Sequence, residues 1–355
     1  MSLELTSEVI RLPYREPFRI ARTHGGAEGM SSVLVELRND AWPGLVGRGE
    51  GYPDAYYGET LDTIEVVLPM LLATIEPGPL ESATAADAGG VLEAIGDRLD
   101  ATLAHHGAAK CALDSAVHDL LGQRLGLPVH RLLDLSPDIG PTDFTIGLDE
   151  PAVVAERAAR AVRFPALKIK VGGPADLETL EAVRRVFPGP IRVDANTAWT
   201  PEQGAGLVAD LVRLGVELIE QPFPAHRLDQ LAWLQERSEL PLVADESAVT
   251  IRDLDGLVGV VAGVNVKLAK CGGPGPARRM LARARALGFR TFLGCMEETS
   301  LGIAASAHVA ALADWIDLDG CLLIAGDPFA GLELSADCRW QLTDAPGLGI
   351  RRRAD

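Results

Sequence analysis

The sequence predicts an α/β chain: a parallel β/α barrel preceded by an α+β module. Three observations lead there. From Pro141 onward, short apolar runs begin at intervals of about 25 residues, the length of one strand–loop–helix–loop unit. Each run is followed by an amphipathic stretch rich in Ala, Leu and Arg, long enough for a right-handed crossover. Before Pro141 the strand-like runs come first and the helix-like stretches follow, which is the order of an α+β module.

In chain order, residues 3–12 and 32–37 alternate or are β-branched, and residues 44–51 read as a third strand punctuated by glycine. Apolar spacing over residues 61–72, 91–103 and 111–125 then follows the helical period. The barrel strands are expected at residues 144–148, 166–171, 191–194, 216–220, 242–245, 264–267, 291–293 and 315–318. An open doubly wound sheet is the rival, but it would want fewer units and a phosphate-binding GxGxxG. Gly272-Gly273-Pro274-Gly275 lacks that spacing, and Pro274 removes a donor. The expected division is a capping domain at 1–125, a barrel at 126–320 and a terminal segment at 321–355 that packs back on the cap.

Composition excludes several classes. A 355-residue chain that is 47% hydrophobic and 23% charged is globular, not disordered. A net charge of −17 repels polyanions, so no nucleic-acid partner is expected. Five cysteines form no CxxC pair, which suits a reduced cytoplasmic protein better than a zinc or disulfide scaffold. The first residues carry early acids and no apolar core, so no export signal is read there. The best apolar run, residues 256–264, falls short of the ~18 residues that a membrane span needs. No membrane partner is expected, and a homo-oligomer is left open.

The chemistry lies at the strand ends, where a β/α barrel carries its active site. Read in order, these ends give Lys168 and Lys170, Asp194, Glu220, Asp245, Lys267, then Asp317 and Asp319. A charge closing an apolar run is expensive unless it is paired or bound to a metal. Any one of these residues alone reads as a polar side chain turning into a loop. Three successive strands ending in carboxylates, flanked by strands ending in lysine, do not. Asp194, Glu220 and Asp245 follow one another at 26 and 25 residues and therefore occupy equivalent places on neighbouring strands. Three hard oxygen ligands with open positions suit Mg²⁺, with Mn²⁺ or Ca²⁺ as alternatives. Zinc would want clustered His or Cys.

Lys168 and Lys170 stand at i and i+2 on one strand and share a face. The ammonium of Lys168 and a bound cation would both disfavour protonation of Lys170, the requirement for an amine that takes and returns a proton. Lys267 ends a strand across the mouth. Two bases on opposite sides of a metal-bound carboxylate suit one reaction: one removes an α-proton, an enediolate is held, and the other reprotonates with inversion.

Five ordered motifs carry a resemblance. They are Ala166-Leu-Lys-Ile-Lys-Val-Gly172, Val193-Asp-Ala-Asn-Thr-Ala-Trp199, Glu220-Gln-Pro222, Ala244-Asp-Glu-Ser247 and Asn265-Val-Lys-Leu-Ala-Lys-Cys-Gly-Gly273. Together they resemble the enolase superfamily, more narrowly its muconate lactonizing subgroup; that superfamily uses a Lys or His base beside Mg²⁺. The resemblance implies a (β/α)7β (modified TIM) barrel with an α+β N-terminal capping domain. It implies Lys170 and Lys267 as the acid/base pair, Lys168 as the support of Lys170, and Asp194, Glu220 and Asp245 as ligands of Mg²⁺. Lys267 is preferred to Lys270, which lies one loop further on.

Lactonising, dehydrating and racemising members share those lysines, so the reaction must be read elsewhere. Asp317 and Asp319, in Trp315-Ile-Asp-Leu-Asp-Gly320, resemble the Asp-x-Asp with which dipeptide epimerases bind a substrate α-ammonium. Pro17-Phe-Arg-Ile-Ala-Arg-Thr-His24 resembles the capping loop of Ala-Glu epimerases, which places Arg22 at a glutamate side chain. Tyr57 falls where a second capping loop would be. Glu297 sits near the same mouth and would instead suit a cationic side chain. The expected function is a Mg²⁺-dependent epimerase of a small dipeptide, L-Ala-D/L-Glu foremost. An N-acylamino-acid racemase, an o-succinylbenzoate synthase or a muconate-type cycloisomerase is the catalytic alternative, and a silent ligand-binding barrel is the alternative of another class.

Overall fold

The computed structural model describes residues 2–22 and 27–353. Thr23 and His24 of the expected capping loop lie outside the described residues.

The chain opens with an antiparallel meander of β1 (Leu3–Phe18), β2 (Ala27–Asn39) and β3 (Gly47–Gly51). Four helices follow: α1 (Leu61–Leu72), α2 (Pro77–Ser82), α3 (Ala88–Thr102) and α4 (Gly107–Leu125). The glycines of β3 have a steric cause. A Cβ on Gly49 would lie 2.0 Å from Ala112 O, so only glycine lets the backbone of α4 rest on the sheet. The helix is consequently buried nearly all round, between the meander and the second half of the chain.

That second half is an eight-stranded parallel sheet in strict sequence order: β4 (Phe144–Ile146), β5 (Leu167–Lys170), β6 (Ile191–Asp194), β7 (Val216–Glu220), β8 (Leu242–Ala244), β9 (Gly263–Lys267), β10 (Arg290–Gly294) and β11 (Trp315–Ile316). The seam between first and last strands is held by Asp143 N to Ile316 O at 3.0 Å and Leu318 N to Thr142 Oγ1 at 2.8 Å. The sequence expectation of an α/β barrel under an N-terminal α+β cap is met. Strands β5, β6, β8 and β9 are buried throughout, which explains why they read as continuous apolar runs rather than alternating ones.

The segment after Gly320 touches both halves. Trp340 Nε1 donates to Leu318 O at 2.8 Å, and Leu348 N donates to Asp119 Oδ1 on α4 at 2.8 Å. Among the described residues no helix is long and apolar enough to cross a membrane.

Candidate active site

Backbone register places the site. Lys170, Asp194 and Glu220 are successive Cα partners on β5, β6 and β7, so their side chains leave the sheet at one level. Asp245 follows the last residue of β8, and Lys267 ends β9. Lys170 and Lys267 therefore stand four strands apart in a ring of eight, on opposite sides, with the three carboxylates on the arc between them.

Every group of this arc is buried. Oxygens of Asp194, Glu220 and Asp245 all lie within 4.8 Å of one another. Glu220 Oε1 accepts from Asn265 Nδ2 at 2.7 Å, while Glu220 Oε2 is buried with no hydrogen-bond donor. A buried, donorless carboxylate oxygen inside a cluster of three acids is what a hard cation satisfies, so these residues fit a divalent oxygen-liganded ion. Lys170 Nζ lies 2.6 Å from Asp194 Oδ2 and Lys267 Nζ 2.9 Å from Asp245 Oδ2. Each lysine is thus held against an outer member of the triad.

The electrostatics follow from burial and pairing. Burial alone would raise all three acids. For Asp194 the ammoniums of Lys170 and Lys168 outweigh it, and for Asp245 those of Lys267 and Lys270 do, so both are held below the ordinary carboxylate range. Glu220, in the middle, is pushed up to about 7 by burial and by the charge of Asp194. Lys168 is fully buried, which disfavours its charge, but Asp317, Glu220 and Asp194 overcome this and hold it well above the ordinary lysine range.

Asp317 and Asp319 are brought to the same end of the barrel but differ in what they touch. Asp317 contacts Lys168 Nζ directly and accepts from Thr145 Oγ1 at 3.0 Å. Asp319 accepts from Thr145 N at 2.5 Å and is pushed up to about 7 by burial and the adjacent Asp317 charge. Asp317 is therefore the counter-ion of Lys168, a partnership the sequence reading did not include.

A cavity of about 230 Å³ opens between this floor and the capping loops. Lys170, Lys267 and Asp245 face it from the barrel, and Arg22, Tyr57 and Glu297 face it from the rim, whereas Asp317 and Asp319 are not on its wall. Arg22 contacts Glu246 Oε1, donates to Asn196 O at 3.1 Å and lies 4.3 Å from the centre of the Tyr56 ring. Burial raises the Tyr57 hydroxyl far above its ordinary range, keeping it a neutral donor. Glu297 is hydrogen-bonded to the Tyr52 hydroxyl.

Sequence reasoning passed over three supports. Asn196 and Glu246 stand inside motifs already singled out, yet nothing in their spacing says that they bind Arg22. Lys270, set aside as a loop residue, is 3% exposed and hydrogen-bonds to Asp245 O, Asp245 Oδ1, Ala248 O and Asn265 O. The one-turn helix Leu268–Cys271 folds it back beneath the metal-ligand candidate.

Comparison with known proteins places this geometry. Residues 5–134 match the family described as mandelate racemase / muconate lactonizing enzyme, N-terminal domain, and residues 152–355 match the enolase C-terminal domain-like family. An L-Ala-D/L-Glu epimerase of Bacteroides thetaiotaomicron is 38% identical over 323 residues, covering 90% of this chain and 81% of that protein. A hydrophobic dipeptide epimerase of Enterococcus faecalis is 36% identical, covering 96% of each. The crystal structure of a dipeptide epimerase from Enterococcus faecalis V583, complexed with Mg and L-Leu-L-Tyr, superposes with a TM-score of 0.88 at 33% identity over 99% of each chain.

Proposed function

The chain belongs to the mandelate racemase / muconate lactonizing enzyme family of the enolase superfamily and is an isomerase, and from that membership we propose that it is a Mg²⁺-dependent dipeptide epimerase inverting the α-carbon of the C-terminal residue. One observation carries the reading: two buried lysines face each other across a carboxylate triad, each hydrogen-bonded to an outer member of it. Folding alone has no use for that arrangement, because each buried ammonium pays a desolvation cost.

Asp194, Glu220 and Asp245 would hold the ion, which supplies Lewis-acid polarisation of a substrate carboxylate and so acidifies the adjacent α-carbon. The remaining work belongs to the chain. Lys170 meets one face of that carbon and Lys267 the other. Whichever lysine is neutral accepts the α-proton, and the opposite ammonium delivers one to the far face, which inverts the centre. Lys168 keeps a fixed charge beside Lys170 because Asp317 holds it. Asp319, which has no basic partner of its own among the described residues, is the acid left to meet a substrate ammonium, which would have to pass beyond the cavity wall to reach it.

The side chain preference has two readings. L-Ala-D/L-Glu follows from Arg22 and from the similarity to the Bacteroides thetaiotaomicron enzyme. Against it, Arg22 already pairs with Glu246, while Glu297 has no basic partner among the described residues and lines the same cavity. That observation favours a cationic side chain at the second position.

A panel of dipeptides and N-acyl amino acids in D₂O with Mg²⁺, followed by ¹H NMR, tests the proposal. Expected is loss of the C-terminal α-proton signal with appearance of the other epimer, abolished by chelation and restored by Mg²⁺ or Mn²⁺. Faster turnover of N-succinyl or N-acetyl amino acids would make the protein an acylamino-acid racemase, and full activity after exhaustive chelation would exclude the metal-assisted reading.

A further inference from the structure

Next to Asp317 lies a run of charged side chains, Asp143, Arg192 and Glu217, to which the mechanism above gives no work. We propose that Asp143 is a positioning residue for the epimerisation: a neutral carboxylic acid that donates its proton to Asp317 and so fixes the carboxylate that holds Lys168 beside Lys170. The inference rests on the lysine pair acting as proposed above.

The seam of the barrel brings the two acids together. Asp143 stands one residue before β4, and its N–H donates to Ile316 O, the residue before Asp317. Both side chains are buried, and their carboxyls are hydrogen-bonded to each other. Two ionised carboxylates cannot make that bond, because each only accepts; one of them must carry a proton. Asp317 is the ionised member. Its Oδ2 contacts Lys168 Nζ and its Oδ1 accepts from Thr145 Oγ1 at 3.0 Å. On Asp143, Oδ2 accepts from Arg192 Nη1 at 2.8 Å, while Oδ1 is buried and receives no N–H or hydroxyl from any other residue. A proton on Asp143 gives that oxygen its partner. The electrostatics agree: burial and the Asp317 charge push Asp143 well above the ordinary carboxylate range. Burial would raise Asp317 too, but the ammonium of Lys168 holds it below that range.

Arg192 does not need Asp143 as an anion. Its Nε donates to Glu217 Oε2 at 2.8 Å, and Trp315 Nε1 donates to Glu217 Oε1 at 3.1 Å. With Asp143 neutral, the run is two ion pairs, Lys168 with Asp317 and Arg192 with Glu217, joined by an uncharged acid. With Asp143 ionised, a further negative charge without a cation of its own would sit in the barrel interior, which is strongly unfavourable. The consequence for the reaction is positional. Lys168 and Lys170 share a face of β5, whereas Lys267 stands across the ring. A group that steadies Asp317 therefore acts first on the half of the site that Lys170 serves.

Substitution at Asp143 tests this. Asparagine keeps the shape, a carbonyl for Arg192 and an N–H for Asp317, so Asp143→Asn should retain kcat within about threefold, whereas Asp143→Ala should lower it about tenfold or more with KM little changed. Should Asp143→Ala fail to fold, the double variant Asp143→Leu/Arg192→Met replaces the pair with apolar side chains, a change that buried charges tolerate, and should show the same loss. In D₂O the loss should fall mainly on the α-proton exchange that survives in Lys267→Ala, not on the one that survives in Lys170→Ala; a purely structural defect would slow both alike. Independently of turnover, the infrared difference between wild type and Asp143→Asn at mildly alkaline pH should contain the C=O band of a protonated carboxylic acid. The proposal is overturned if that band is missing, if Asp143→Asn is as impaired as Asp143→Ala, or if both exchanges slow equally. A wild type that shows the band but turns over no dipeptide would instead sink the epimerase reading and leave the neutral Asp143 in place.

Discussion

Lys270 donates to the main-chain oxygen of Asp245 at 2.6 Å and also contacts Asp245 Oδ1, while Lys267 holds Oδ2 of the same carboxylate at 2.9 Å. One acid is clamped between two buried ammoniums. Removing one side of a buried pair typically costs ~3–5 kcal/mol, so Lys270→Met should lower the melting temperature of the metal-free protein. Mg²⁺ should then recover more stability in the variant than in the wild type, because a cation would replace charge missing beside Asp245. Thermal melts with and without Mg²⁺ check this, and equal Mg²⁺ increments in both proteins would contradict it.

The substrate ammonium gives a pH-dependent prediction. Asp319 is pushed up to about 7 by burial and by Asp317. It gains its negative charge as pH rises through that value and loses it as pH falls. KM for a free dipeptide should therefore rise below about pH 7, while KM for the N-acetylated dipeptide should not follow. N-acetylation itself should lower kcat/KM by about two orders of magnitude, at roughly 1.4 kcal/mol per decade for an acid left without its partner. A parallel pH response of both substrates would remove Asp319 from the ammonium site.

Side chain selectivity separates Arg22 from Glu297. If the cavity selects a cation, Glu297→Gln should reduce kcat/KM for Ala-Lys or Ala-Arg about tenfold, near 1.4 kcal/mol, and leave Ala-Leu unchanged. If Arg22 reads a glutamate, Arg22→Ala should weaken Ala-Glu selectively instead. Competition assays with both variants on a mixed dipeptide library decide the matter.

Much of this arrangement is legible in the sequence. The barrel strands announced themselves because parallel strands covered on both faces must be apolar throughout, so the charges that end them stand out. Asp194, Glu220 and Asp245 were legible for that reason, as were Lys170 and Lys267. The partnerships were not. That Asp317 goes to Lys168, and Arg22 to Glu246, depends on contacts between residues 149 and 224 positions apart, and no local pattern encodes them. Lys270 reads as a loop residue in the sequence because its helix is a single turn, too short to leave a periodic signal.

The opposed lysines remain the central claim, and isotope exchange tests it most directly. Lys170→Ala and Lys267→Ala should each be incubated with the two separate epimers of a turned-over dipeptide in D₂O and Mg²⁺, with α-proton loss followed by ¹H NMR. Each variant should exchange the α-hydrogen of one epimer only, the two variants choosing opposite epimers, and neither should produce net inversion. Inversion at the wild-type rate in either variant, or exchange of the same epimer by both, would contradict the two-base assignment.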